Sequence, residues 1–218
     1  MKLEWRHELF ALAIFAAMGA IGMHYYPLLP NIMASHFDVH GLPNGWMPKA
    51  SFFFIMGIVE ISIYGLLTFL PRVDPLKKKI EVRFKNILLL RDVFLLFFAV
   101  VFSMSLEAAR EGVLNVDLLG VALGILFIVM GNYLPKIPQN WFVGIKTPWT
   151  ISSEIVWKKT HILGGWLFVL SGLTYILCSA LKISSALILL AVILVPAVVS
   201  MPYSYFLYKK IQRTNDVP

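Results

Sequence analysis

Glu60 stands about ten residues into an apolar stretch that runs from 50 to 71. At about 1.5 Å of helical rise per residue, a carboxyl there would sit near the middle of a bilayer. An acidic group at that depth costs on the order of 2.5–3.5 kcal/mol even on permissive insertion scales, so it must face protein, be protonated or pair. Two readings stay open. One is a neutral carboxyl hydrogen-bonded between helices, with His24 and Tyr64 as candidate partners; the other is a proton- or ligand-linked group. Arg91 and Asp92 are adjacent in another apolar stretch. Helical neighbours point to different faces, so Arg91 is expected to snorkel to the headgroups and Asp92 to pair with a cation of another helix.

His24, His36, Asp38 and His40 cluster along the sequence, and His36-x-x-x-His40 would share one face of a helix, as metal ligands do. Asp38, Gly41 and Pro43 nevertheless specify a loop, and there is neither a Glu after the first His nor a Cys ligand. No metal or cofactor is expected, and a hydrogen-bonding or pH-responsive loop is the reading. Further on, Asn132, Asn140, Lys146, Thr147, Trp149 and His161 would form one polar patch if the segment joining two apolar stretches folds back on itself. The chain has no P-loop, HExxH, GxSxG or CxxC pattern, so no nucleophile–base arrangement is legible and an enzyme is not expected.

These residues need a scaffold, and composition says which. Of 218 residues, 59% are hydrophobic and 14% charged, against about 25% charged in soluble proteins. About 20 apolar residues cross a hydrocarbon core. Stretches of that length lie at 9–29, 50–71, 87–106, 116–134, 161–181 and 186–208. The expectation is an all-α polytopic membrane protein, a bundle of about six transmembrane helices forming one transmembrane domain over 1–218. Helices are required because lipid leaves free backbone groups unsatisfied, and the alternating ten-residue segments of a β-barrel are absent. The first stretch is too long for a signal-peptide core, has no small-x-small site before His24-Tyr25-Tyr26, and is read as a retained helix. Cys178 is a lone cysteine inside a span and is read as a packing residue.

The net charge of +7 is distributed by loop. Lys and Arg number 2 in the N-terminal tail, 6 in loop 72–86, 4 in loop 135–160 and 3 in the C-terminal tail, whereas loops 30–49, 107–115 and 182–185 hold one each. Cationic loops stay cytoplasmic, which places both termini inside and those three loops outside. This accounts for the charge without nucleic-acid binding, and the basic loops also suit anionic lipid headgroups.

Two connections are structured by their punctuation. Loop 30–49 carries Pro30, Gly41, Pro43-Asn44-Gly45 and Pro48; loop 135–160 carries Pro135, Pro138, Gly144 and Pro148, then Ser152-Ser153-Glu154 as a helix N-cap. Trp141, Trp149 and Trp157 suit the membrane interface. Leu29-Pro30-x-Ile32 and Phe37 align with Leu134-Pro135-x-Ile137 and Phe142, while Gly41-Leu42-Pro43 loosely parallels Gly144-Ile145 and Pro148. The pattern suggests an inverted repeat of three helices plus three, as in transporter folds.

The run Gly131-Asn-Tyr-Leu-Pro-Lys-Ile-Pro-Gln-Asn-Trp-Phe-Val-Gly-Ile-Lys-Thr-Pro-Trp-Thr150, followed by Trp157, Thr160-His161 and Gly164-Gly165, resembles the signature of the SdpI family. Leu29-Pro30, Ile32, His36-Phe37, Gly41, Pro43, Trp46 and Lys49 resemble the N-terminal module that often precedes it. The chain would then comprise an N-terminal module, 1–115, and an SdpI-like module, 116–218. The resemblance implies an integral membrane immunity protein of the bacterial cell membrane, resisting a secreted antimicrobial peptide toxin and signalling by capturing a cytoplasmic ArsR-like autorepressor. It points to His36, Phe37, Gly41, Pro43 and Trp46 outside. Inside it points to Asn132, Asn140, Trp141, Gly144, Lys146, Thr147, Pro148, Trp149, Trp157 and His161. Lys146 departs from the Arg of many members and would lose a bidentate contact. The alternative is a small transporter or exporter of a peptide or ion that uses the midplane Glu60.

Overall fold

A computed structural model describes residues 4–183 and 185–215. Lys2 of the basic N-terminal tail and Ser184 of loop 182–185 lie outside the described residues. Among the described residues six helices are long and apolar enough to cross a membrane. They are α1 (Trp5–Tyr25, continued by a 3-10 turn, Tyr26–Leu28), α2 (Lys49–Val73), α4 (Phe84–Glu111), α5 (Val116–Tyr133), α7 (Glu154–Ala180) and α8 (Ala186–Asn215). Two short helices, α3 (Lys77–Glu81) and α6 (Pro148–Ser152), lie in the connections. The expected all-α membrane bundle is what forms.

Helix ends follow local chemistry. Gly112, at φ +79°, ends α4 and returns its N–H to the Ala108 carbonyl. The Asn115 side chain then accepts from the Leu118 N–H at 3.0 Å and opens α5. Ser153 caps α7, and Glu154 favours its first turn. The helix therefore begins seven residues before the apolar stretch at 161, at the expected Ser153 cap, and Trp157 lies on it.

The connection expected as a loop at 30–49 contains a β-hairpin. β1 (Ile32–Phe37) pairs antiparallel with β2 (Pro43–Pro48), with irregular register at His36. Asp38 closes the turn by accepting the His40 and Leu42 N–H groups at 2.8 and 2.9 Å. At Gly41, φ is +81° and an added Cβ would lie 2.1 Å from the Leu114 carbonyl oxygen. Only glycine lets the hairpin seat on the turn between α4 and α5, where the Leu114 N–H donates to the Gly41 carbonyl at 2.9 Å.

The two halves pack differently. In the first, α4 packs against both α1 and α2, and Ile14, Leu95, Phe102, Leu106 and the hairpin's Met33 share one core. In the second, α7 is central between α5 and α8. A Cβ on Gly131 would meet the Gly165 carbonyl oxygen at 2.4 Å, and one on Gly172 the Gly124 carbonyl oxygen at 2.5 Å. Glycines thus bring the α5 and α7 backbones into direct contact, which is how membrane helices gain packing where lipid supplies no hydrophobic drive. A 3-10 turn follows both α1 and α5, but a hairpin comes next in one half and irregular chain with α6 in the other.

Arg91 does not snorkel. It is fully buried, and its Nη1 donates to both Glu8 carboxylate oxygens at 3.0 Å and to Thr68 Oγ1 at 3.1 Å. Nη2 donates to the His7 carbonyl at 2.8 Å, and Nε donates to Asp92 Oδ1 at 2.8 Å. Asp92 therefore pairs with its own neighbour rather than with another helix, because the long guanidinium arm curls back over one residue. The planar fork can use all these acceptors at once, which offsets desolvation better than a headgroup contact would. Removing one partner of such a buried pair costs about 3–5 kcal/mol. Glu8→Ala should lower the thermal midpoint of the detergent-purified protein accordingly, and Glu8→Gln should recover part of the loss. An unchanged midpoint for Glu8→Ala would mean the cluster contributes no stability.

Candidate functional site

The segment 135–161 is ordered by hydrogen bonds made within itself and to its neighbours. Asn140 is buried and uses its whole amide. Nδ2 donates to the Pro138 and Val143 carbonyls at 2.9 and 2.8 Å, and Oδ1 accepts from the Phe142 and Val143 N–H groups at 2.8 and 2.6 Å. One side chain thereby satisfies a tight turn that lipid or a dry interface could not. His161 is also buried: its Nε2 accepts the Ile145 N–H at 3.0 Å and its Nδ1 faces the Trp157 carbonyl at 2.7 Å. A carbonyl only accepts and an N–H only donates, so the ring is the neutral Nδ1–H tautomer. Trp157 stacks on it, centroids 4.0 Å apart, and gives its indole N–H to the Ile137 carbonyl at 2.9 Å. Gly144, at φ +126°, passes so close that a Cβ would lie 2.4 Å from His161 Nε2.

Thr147 and Thr150 form a reciprocal capping box for α6, with Pro148 at its first position. The Thr147 hydroxyl also meets Ser204 Oγ of α8 at 3.0 Å. Three further residues anchor the segment and were not singled out in the sequence. Asp74, at the end of α2, accepts from the Leu76 and Trp141 N–H groups at 2.7 and 2.8 Å. Gln139 donates to the Thr150 and Ile151 carbonyls at 2.9 and 2.8 Å, and Lys79 of α3 reaches both Gln139 and Glu154. The Asp74-Pro75 pair after an apolar stretch was the legible signal for the first, being the start of an Asx turn.

The sequence-selected residues therefore separate. Asn140, Gly144, Thr147, Trp157 and His161 come together and build the segment. Trp141, Lys146 and Pro148 are exposed on it, and Trp149 is half-buried, its ring 5.0 Å from that of Tyr205. A cleft of about 510 Å³ runs from Lys146–Trp149 to Met201, Pro202 and Tyr205 of α8. Lys136, Lys158, Lys159, Lys209, Lys210 and Arg213 are exposed around this end. Asn132 does not join: it is exposed on α5 and donates to the Ile128 carbonyl of its own helix at 2.8 Å.

At the hairpin end, His36 is exposed and its ring meets the Asn44 side chain. The Leu42 and His40 backbone N–H groups hold the Asp38 carboxyl below the usual carboxylate range. Phe37 packs on Met104, Ala108 and Leu114, Pro43 pairs with it across the hairpin, and Trp46 is exposed. Among the described residues no group of three His, Cys, Asp or Glu could hold a metal ion.

Within the membrane, neither expected partner reaches Glu60. Tyr64 gives its hydroxyl to Glu8 at 2.8 Å, where a carboxylate held by Arg91 is the stronger acceptor, and His24 lies on the exposed side of α1 against Tyr25. Glu60 is 1% exposed, and neither carboxyl oxygen has a hydrogen-bond partner.

Six helices among the described residues that are long and apolar enough to span, with a hairpin at one end and a cross-braced, tryptophan-bearing segment at the other, define a multi-pass membrane protein. The SdpI/YfhL protein family matches residues 136–204, and a domain of unknown function, DUF1648, matches residues 13–60. Over residues 136–204 the chain is thus similar to the SdpI/YfhL family, and over residues 13–60 to that domain. It is 28% identical over 172 residues to the immunity protein SdpI of Bacillus subtilis (strain 168), covering 78% of this chain and 80% of that relative. No solved structure matches the chain.

Gly144→Ala should unseat the segment, since the Cβ meets both a strained φ and the His161 ring. Limited proteolysis between 138 and 147 should quicken and the thermal midpoint fall, whereas Trp141→Ala should change stability by no more than about 0.5 kcal/mol. Equal protease resistance of Gly144→Ala and parent would contradict the close approach.

Proposed function

We propose that this chain is a membrane immunity protein protecting its cell against a secreted antimicrobial peptide toxin. The observation that carries this is the 28% identity to a protein named for immunity, running over most of both chains and through both modules. In this reading the two modules, 1–115 and 116–218, act as one transmembrane unit.

Contacts of loops 74–83 and 135–160 with each other put them at one end of the bundle, and the hairpin and turn 112–115 at the other. Six Lys and Arg in 72–86 and four in 135–160, against one each in 30–49 and 107–115, favour the first end as cytoplasmic. Both termini are then inside, and the hairpin with its exposed Trp46 meets the toxin. The cytoplasmic end offers Trp141, Lys146 and Trp149, an aromatic and cationic face suited to a soluble protein such as an ArsR-like autorepressor. Lys146 contributes a point charge there rather than an arginine fork. A second reading, a small transporter, draws on the unpartnered midplane Glu60; flux in proteoliposomes without repressor or toxin separates the two.

Cysteines placed at 44 and 78 in a Cys178→Ala background should label from outside and from inside, respectively; the opposite pattern reverses the orientation. Trp149→Ala at normal abundance should weaken toxin resistance or repressor capture by about tenfold or more. His161→Ala should instead lower abundance, because it removes a buried acceptor and donor. If Trp149→Ala and Lys146→Ala together protect cells and capture repressor as the parent does, this face has no such role.

A further inference from the structure

Between α1 and α2 lies a cavity of about 370 Å³ whose walls include Phe15, Met18, Phe53, Met56 and Phe102, and Glu60 is among its lining residues. Met23 and Ile61 also line it and are 77% and 65% exposed, so its mouth opens sideways, toward hydrocarbon. Cβ atoms added to Gly19 or Gly57 would meet nothing within 4 Å, so small residues keep the space clear along both helices. Glu60 is the costly element: a buried carboxyl with two unpartnered oxygens, deep in a span, loses its hydration and recovers nothing from the protein.

The chemistry of the walls narrows what would compensate it. A divalent cation needs about six oxygen ligands, and one carboxylate cannot supply them. Ordered water needs two to four polar partners, which walls of Phe and Met do not give. An anion is repelled. A monovalent organic cation satisfies both features, its charge on the carboxylate and its body on aromatic faces that also attract cations. The volume suits a small ligand and excludes a peptide helix, which is about 10–12 Å across with side chains.

We propose that this cavity binds a small lipophilic ammonium ion entering from the bilayer, with Glu60 as its counter-ion and Phe15, Phe53 and Phe102 as its apolar seat. The site stands apart from the immunity reading, and either can fail without the other.

The test is scintillation-proximity binding of tritiated imipramine, a lipophilic tertiary amine, to the purified full chain in an uncharged detergent. Binding should saturate and be displaced by dodecylammonium but not by dodecanol. Glu60→Gln, which keeps size and polarity, should weaken it by about tenfold or more. Gly57→Leu should abolish it by filling the cavity while keeping the carboxyl in the sequence, and Trp149→Ala should leave it unchanged. Thermal unfolding checks that each variant is folded. If Glu60→Gln is not, the Gly57→Leu result and the competitor pair decide. Absence of saturable binding to the parent, undiminished binding by folded Glu60→Gln or by Gly57→Leu, or equal displacement by dodecanol would overturn the proposal; the last would mark a lipid-filled gap only.

Discussion

Hydrocarbon offers no hydrogen bonds, so each polar group that enters a membrane protein must be matched from within the chain. Arg91 shows how far this reaches. Its guanidinium collects Glu8, Asp92, Thr68 and a backbone carbonyl, and in doing so ties α1, α2 and α4 together at one end of the bundle. Tyr64 joins the same cluster through Glu8 and lies beneath the guanidinium, 5.0 Å from ring centroid to charge. The helices of the first half are therefore oriented by a charge that has nowhere else to go. Glu60, in the same half, escapes that matching, as do His7 Nδ1 and Arg72 Nε, but Glu60 leaves a whole carboxyl unpartnered, which distinguishes its cavity from ordinary packing voids.

The second half solves a different problem. Apolar side chains alone give helices little reason to associate in lipid, so α5 and α7 meet glycine to backbone, and α8 completes the unit. On this rigid base the segment 135–161 is held by side chains that spend their hydrogen bonds inward. Asn140 closes one turn, His161 and Trp157 brace Gly144 and Ile137, and Thr147 ties α6 to α8. Trp141 and Lys146 stay exposed on the segment, Lys146 donating to the Phe142 carbonyl, and Trp149 packs against Tyr205 of α8. Asp74 and Lys79 connect the segment to α2 and α3, so the first half and the motif segment are mechanically joined at this end.

The six spans, their approximate limits and the special character of 131–161 were legible in the sequence, because hydrophobic length and turn chemistry are local properties. So was the helix cap at Ser153. What tertiary structure alone decided was pairing. Residues adjacent in sequence, Arg91 and Asp92, became partners through side-chain reach, while Glu60 and Tyr64, one turn apart on α2, did not, because Glu8 of another helix competed for the hydroxyl. Loop 30–49 read as irregular from its Pro and Gly content, yet Ile32–Phe37 and Pro43–Pro48 pair as strands once the α4–α5 turn supplies a seat for Gly41. His161 looked like a polar site residue and proved to be a brace, since only the fold brings the Ile145 N–H to its ring. Residue type and spacing state which groups need partners; which group meets which depends on distances between helices that no local pattern encodes.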